Sequence, residues 1–199
     1  MKRRFGIHRK SRDVFFQEMG MQIKKSQSFL TLYVSRCLLG DTCRYDGKSK
    51  KVDMPDFGPH VRILSACPEV AAGFGTPRPS IEIVQPDSVG KAIPEIWRRE
   101  SRTDVTPKLR IACRRILEQF GELPPVAFLL KARSPSCGRE SVLHDAAGSE
   151  IGIAPGELVR QIRLRYPNVP VFTEEELPEL EVWIRARLLE IETSEAQLS

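Results

Sequence analysis

The sequence predicts an α/β fold: a Rossmann-like, mostly parallel sheet flanked by helices in a single domain. Three observations carry this. Short apolar, β-branched runs alternate with amphipathic helical stretches, which is the pattern of strands joined by helical crossovers. The runs are apolar enough to be buried strands. The chain has 199 residues, 41% of them hydrophobic, enough for one domain with a sizeable core.

The elements follow in order. "LTLYVS", residues 30–35, reads as a first buried strand that stops at Arg36-Cys37. "GDTCRYDGKSKK" is a loop with Gly40, Asp46 and Gly47 as turn residues. "VRILSA", 61–66, is a second strand ending on Cys67. "PEVAAGFGTPRPS" holds prolines and glycines at a density that predicts an irregular loop, and "IEIV" a short extended piece. The stretch from there to Glu100 carries no clear pattern. A helix then starts with Thr106 as cap and Pro107 in the first turn, where its missing N–H is not needed. Leu109, Ala112, Cys113, Ile116, Leu117 and Phe120 form its apolar stripe, and Gly121 ends it. "VAFLLKA", 126–132, is a third strand, followed by the turn "KARSPSCGRE". Pro155 and "GELVRQIRLRY" predict another helix, ended by Pro167-Asn168 before the short strand "VPVF". "EEELPELEVWIRARLLEIE" is a closing amphipathic helix. The organisation expected is a basic arm over 1–28, an α/β domain over 29–175, and a terminal helix and tail over 176–199.

Composition narrows the function classes. No apolar run approaches the roughly 18 residues of a membrane span, and no signal-peptide core follows the basic N-terminus, so a cytoplasmic protein is expected. Five cysteines, an odd number, argue against a disulfide framework and leave metal binding, catalysis or packing. The formal charge of +5 is unevenly placed. Residues 1–28 hold eight Lys or Arg against Asp13 and Glu18, whereas the rest is close to neutral. That arm reads either as an electrostatic foot for RNA or another polyanion, or as a solvated tail or over-long start.

Cys37, Cys67 and Cys137 each fall at or just beyond the carboxyl end of a predicted strand. In open parallel sheets those ends face one crevice, so three thiols distant in sequence are expected to converge there. Converging thiolates suit a soft metal or an iron–sulfur cluster and leave one coordination position open. A nucleophilic cysteine and unrelated loop cysteines are the alternatives, because no C-x-x-C pair is present. Cys113 lies on a helical stripe and reads as core; Cys43 lies near the crevice or in solvent. Of the histidines only His144 is near Cys137, which weakens a Cys/His nucleophile. Glu69, two residues after Cys67, is placed as a general base, or else as a surface carboxylate paired with Arg78. Ser134 and Ser136 either bind a ligand or cap the turn. Lys131, Arg133, Arg44 and Arg78 would attract an anionic or polar ring, or pair with Asp46 and Glu82.

"SRCLLGDTCRYDG", "CPEVAAGFGTPRPSIEI", "DVT" and "KARSPSCG", in that order, resemble the thiouracil desulfurase family over about residues 31–173. The resemblance implies a [4Fe–4S] cluster on Cys37, Cys67 and Cys137 and a catalytic pair of Glu69 and Ser134. Ser136, Arg78 and Asp46 become candidate substrate-binding residues. The implied reaction is a non-redox desulfuration of a 2- or 4-thiouracil-like pyrimidine to its oxo form, with sulfide released. Thiouridine in tRNA is the alternative substrate, and a non-catalytic metal-binding or sensor module the alternative of another class. Two departures touch the pocket: Ser80-Ile81 stands where the family has Pro-Ala, and "LHDAAG" where it commonly has Tyr-Asp-Gly. Substrate identity is therefore less determined than the cluster.

Overall fold

The computed structural model describes residues 29–86, 93–121 and 123–197, so the basic arm, residues 1–28, lies outside the described residues. Along the chain come β1 (Leu30–Ser35), a 3-10 turn (Arg36–Leu39), β2 (Val61–Ala66), α1 (Pro68–Ala71), β3 (Ile81–Gln85) and β4 (Glu95–Arg98). Then follow α2 (Thr106–Glu118), β5 (Ala127–Leu130), β6 (Ser141–Asp145), β7 (Glu150–Ala154), α3 (Glu157–Arg165), β8 (Val171–Thr173) and α4 (Leu177–Gln197).

β1 and β5 are apolar on successive residues, so neither face can be left to water. They sit in a four-stranded parallel sheet of order β2-β1-β5-β8. Tyr33, Phe128 and Leu130 face α2 and α3, against Leu109, Ile116, Leu158 and Ile162. Leu32, Val34 and Leu129 face the other way, against Leu38, Leu180 and Ile184. Leu180 and Ile184 belong to α4, with Trp183 beside them donating from its indole N–H to the Val126 carbonyl at 3.2 Å. The terminal helix is thus a structural layer of the same core. Full burial of a Leu or Ile side chain is worth about 1.5–3 kcal/mol, so this face depends on α4 being there.

Several expectations are corrected. A second four-stranded sheet, β4-β3-β6-β7, is present, parallel only between β3 and β6. Its β6–β7 hairpin contains the "LHDAAG" segment that carried no strand pattern. β7 is exposed on most of its residues, which removes the alternating signature of a half-buried strand. α1 is a short helix inside the segment read as irregular loop. Thr106 does not cap α2: its hydroxyl accepts the Ile96 N–H at 2.7 Å, tying the helix to β4. Asp104 accepts the Thr106 N–H instead, at 2.8 Å. α2 ends at Glu118, and Gly121 takes the left-handed turn after it. β5 is shorter than the run 126–132. Among the described residues no helix is long and apolar enough to cross a membrane.

Candidate active site

In the parallel sheet the register pairs Ser35 with Ala66 and Val34 with Leu129, so β1, β2 and β5 all finish at one edge. The chain steps from β1 outward to β2 and later returns to β5 on the other side of β1. That reversal of direction opens a crevice at the carboxyl ends. Cys37, Cys67 and Cys137 line one cavity there, of about 400 Å³, with the second sheet supplying part of the lining through Ile81, Glu82, Ser141 and His144.

The turn bearing Cys137 is held from several directions. Gly138 N–H closes it on the Ser134 carbonyl at 2.7 Å. The first N–H groups of α3, which have no partner within the helix, donate into it: Glu157 to the Pro135 carbonyl at 3.2 Å and Leu158 to that of Ser136 at 2.8 Å. Gly156 passes so close that a Cβ would stand 2.7 Å from the Ser134 carbonyl oxygen and 2.9 Å from the Cys137 nitrogen. Glu174 accepts the Ala132 N–H at 2.6 Å and pairs with Lys131 at 2.7 Å. Ser35, at the end of β1, accepts the Lys131 N–H at 3.1 Å and donates to Cys137 Sγ at 3.4 Å. Ser134 Oγ lies 3.4 Å from the same sulfur.

Glu69, in α1, is 8% exposed and fully engaged. Arg78 Nε donates to its Oε2 at 2.7 Å and Ser136 Oγ donates to its Oε1 at 2.7 Å. Ser134 and Ser136 hydroxyls are 3.0 Å apart, completing a line from Glu69 to the Cys137 sulfur. Arg78 is itself pinned by carbonyls of Cys43, at 3.0 Å, and Gly75, at 2.8 Å. Burying a charged pair is costly unless every remaining donor is satisfied, and here most of the guanidinium is.

Cys37 and Cys137 are buried, Cys67 is partly so, and none is in a disulfide. Burial, then the neighbouring sulfurs, pushes the Cys37 thiol well above its ordinary range, with Lys131 opposing weakly. Burial pushes Cys67 up to about 11, against the Val70 N–H. Burial also raises Cys137, against the hydroxyls of Ser134 and Ser35. Reactive cysteines have lowered, not raised, thiol pKa values. These thiols therefore lack the environment of a nucleophile.

Of the residues singled out in the sequence, the cavity collects Cys37, Cys67, Cys137, Glu69, Ser134, Ser136 and Arg78, and also Arg44, Lys131 and Arg133. Asp46 is not among its lining residues; its carboxylate pairs with Arg44 at 3.2 Å and accepts the Lys48 N–H. Lys131 and Arg133 pair with Glu174 and Glu175. Cys113 is wholly buried in the α2 core, as its stripe predicts. Cys43 is buried and lines the cavity. Sequence reasoning missed Ser35, Ser141 and the place of Glu82 and His144 in the lining. Ser35 had one usable signal, a hydroxyl closing a buried strand; the others depend on the unread second sheet.

The 2-thiouracil desulfurase family model matches residues 32–176. A solved structure described as the [4Fe-4S]-dependent thiouracil desulfidase TudS is 30% identical and covers 79% of this chain and 99% of its own, at a TM-score of 0.61. The uncharacterized protein YbbK of Bacillus subtilis (strain 168) is 30% identical over 155 residues, 75% of this chain and 99% of its own. Geometry and both kinds of likeness agree, and the chain belongs to the 2-thiouracil desulfurase family.

Proposed function

We propose that this protein is a [4Fe–4S]-dependent desulfurase that converts a free thiolated pyrimidine, 2- or 4-thiouracil-like, to the oxo-pyrimidine with release of sulfide. The observation that carries the reading is the pairing of three convergent thiols with a buried, hydrogen-bonded carboxylate in one cavity. The residues fit the cluster by the chemistry of the donor set. Cys37, Cys67 and Cys137 are free thiols on three strand ends, and Ser35 and Ser134 hydroxyls lie at the Cys137 sulfur, where hydrogen bonds tune a cluster. Among the described residues no group of three Cys, His, Asp or Glu side chains is gathered closely enough to hold a metal ion.

When bound, the cluster supplies a Lewis acid with one iron not taken by protein, soft enough to prefer sulfur. The chain's own residues do the proton work. Glu69 takes a proton from water as the water oxygen forms its bond to the thiocarbonyl carbon. Arg78 and Ser136 hold that carboxylate in place, and Ser134, bonded to Ser136, passes a proton towards the departing sulfur or the ring nitrogen. The C–S bond breaks, the C–O bond remains, and sulfide leaves with the two protons of water; no electron is transferred. The direct serine partner of Glu69 is Ser136, so the catalytic role expected of Ser134 is exercised through it.

A cavity of about 400 Å³ is at the small end of ligand sites, which favours a single ring. Desulfuration of thiouridine in tRNA, the alternative tied to the basic arm, draws no support from the described residues. The test is anaerobic iron and sulfide analysis followed by incubation with 2- and 4-thiouracil. The expected result is a brown protein with about four irons that releases sulfide, with Glu69→Gln keeping its iron and losing release. A protein colourless after reconstitution overturns the cofactor, and an iron-loaded one inert to both substrates supports the sensor alternative.

A further inference from the structure

The part of the cavity lining that comes from the second sheet holds polar groups that the desulfuration scheme does not use. Ser141 is 3% exposed, His144 7% and Glu82 3%, and all three line the cavity. Ser141 Oγ and His144 Nδ1 are buried with no hydrogen-bond partner. Orphaned buried polar atoms are uncommon and cost about 1–3 kcal/mol each. Two on one strand, three residues apart and both in the lining of one cavity, point to a ligand that satisfies them. Beside them the Glu82 carboxylate is held by Arg99, which also lines the cavity, at 3.3 Å, and by Arg102. Its Oε2 stands 4.0 Å from His144 Nδ1, beyond a hydrogen bond. The register explains the grouping: β3 runs parallel to β6, with Val84 opposite His144, so Glu82, two residues before Val84, is the diagonal neighbour of His144 on the same face.

A carboxylate acceptor next to an imidazole and a hydroxyl is the complement of a cyclic amide edge, a ring N–H flanked by a carbonyl. We propose that Glu82, His144 and Ser141 form the specificity face of this site, reading the N–H/C=O edge of the pyrimidine while its thiocarbonyl is directed towards the cysteines. Glu82 accepts the ring N–H; His144 Nδ1–H and the Ser141 hydroxyl donate to the neighbouring carbonyl oxygen. The inference deepens the desulfurase reading and rests on it for the orientation of the ring. A site built to hydrogen-bond its substrate rejects analogues that lack the groups, because its own polar atoms are then left buried and unpaired.

The test uses the iron-loaded protein with uracil as the binding probe, by calorimetry, and with 2-thiouracil and its N1- and N3-methyl derivatives as substrates. His144→Leu and Ser141→Ala are each expected to weaken uracil binding and raise the thiouracil KM about tenfold, the scale of one lost hydrogen bond of about 1.4 kcal/mol. kcat and iron content should move little. In the parent protein one of the two methyl derivatives should be a substrate at least tenfold poorer than the other, since only one ring N–H faces Glu82. Unchanged uracil binding in both variants, or equal use of the two methyl derivatives, overturns the specificity face and leaves desulfuration standing. Uracil binding that depends on His144, in a protein that releases no sulfide from any thiopyrimidine, overturns the desulfurase reading and leaves a pyrimidine site.

Discussion

Replacing Arg78 with Met tests whether the Glu69 carboxylate, the base of the proposed reaction, is also a structural half of a buried ion pair. The Arg78 side chain is 2% exposed and its partner 10%, at 2.7 Å. Removing one member of such a pair leaves the other charge buried, a loss of about 3–5 kcal/mol. The carbonyls of Cys43 and Gly75 lose their donor as well, and each buried orphan adds about 1 kcal/mol or more. With about 5–7 kcal/mol lost, and about 2–4 °C per kcal/mol for a chain of this size, Arg78→Met should melt roughly 10–28 °C below the parent. Glu69→Gln keeps the shape and the Ser136 contact but is neutral. The double variant Glu69→Gln/Arg78→Met should therefore be destabilised by about 2 kcal/mol less than the sum of the singles. The assay is thermal and denaturant unfolding of the three variants beside the parent, under anaerobic conditions, with iron measured on each. If Arg78→Met melts within about 1 kcal/mol of the parent, or the double variant is additive, the buried pair is not what holds Glu69 and the argument fails.

Gly156→Ala should push the Cys137 turn aside, because its methyl would meet backbone atoms at 2.7 and 2.9 Å that cannot rotate away. A loss of about 1–3 kcal/mol and reduced iron content are expected, and full iron loading at parental stability would contradict it. Cys137→Ala should abolish iron binding, whereas Cys113→Ala, changed in the α2 core, should keep its iron and lose only stability; iron analysis separates them. Burial opposes the charge on Glu174, but the Ala132 N–H and Lys131 prevail and hold its carboxyl below the ordinary 4.5. Glu176 is held down likewise, against burial, by Thr173 and Arg139. Their stabilising contribution is complete above the ordinary value and disappears as pH falls through the lowered ones. Melting temperature should therefore drop in acid below about pH 4.5, and Glu174→Gln should flatten that drop; an unchanged acid limb would count against the Glu174 tie.

The two central strands were legible because they are buried on both faces, so β1 and β5 read as apolar runs, and the edge strand β2 was legible from its β-branched and aliphatic residues ahead of Cys67. Their carboxyl ends placed Cys37, Cys67 and Cys137 at one edge before any coordinates, since parallel strands can have only one such edge. The Cys113 stripe on α2 was legible for the same kind of reason, a periodicity written into neighbouring residues. What the chain could not show locally was the second sheet. β7 is too exposed to alternate, and "LHDAAG" contains neither a strong strand former run nor a turn pair that marks a hairpin. Ser136 rather than Ser134 meets Glu69 because α3 binds the turn's carbonyls and sets which hydroxyl faces inward. Glu82 and His144 became neighbours only through the β3–β6 register, 62 positions apart in the chain. Sequence by itself determined which chemistry the cavity holds, because strand burial and thiol position are local properties. Tertiary structure alone decided which polar groups face that chemistry, because the partners of a buried hydroxyl, imidazole or carboxylate are chosen by packing between distant segments.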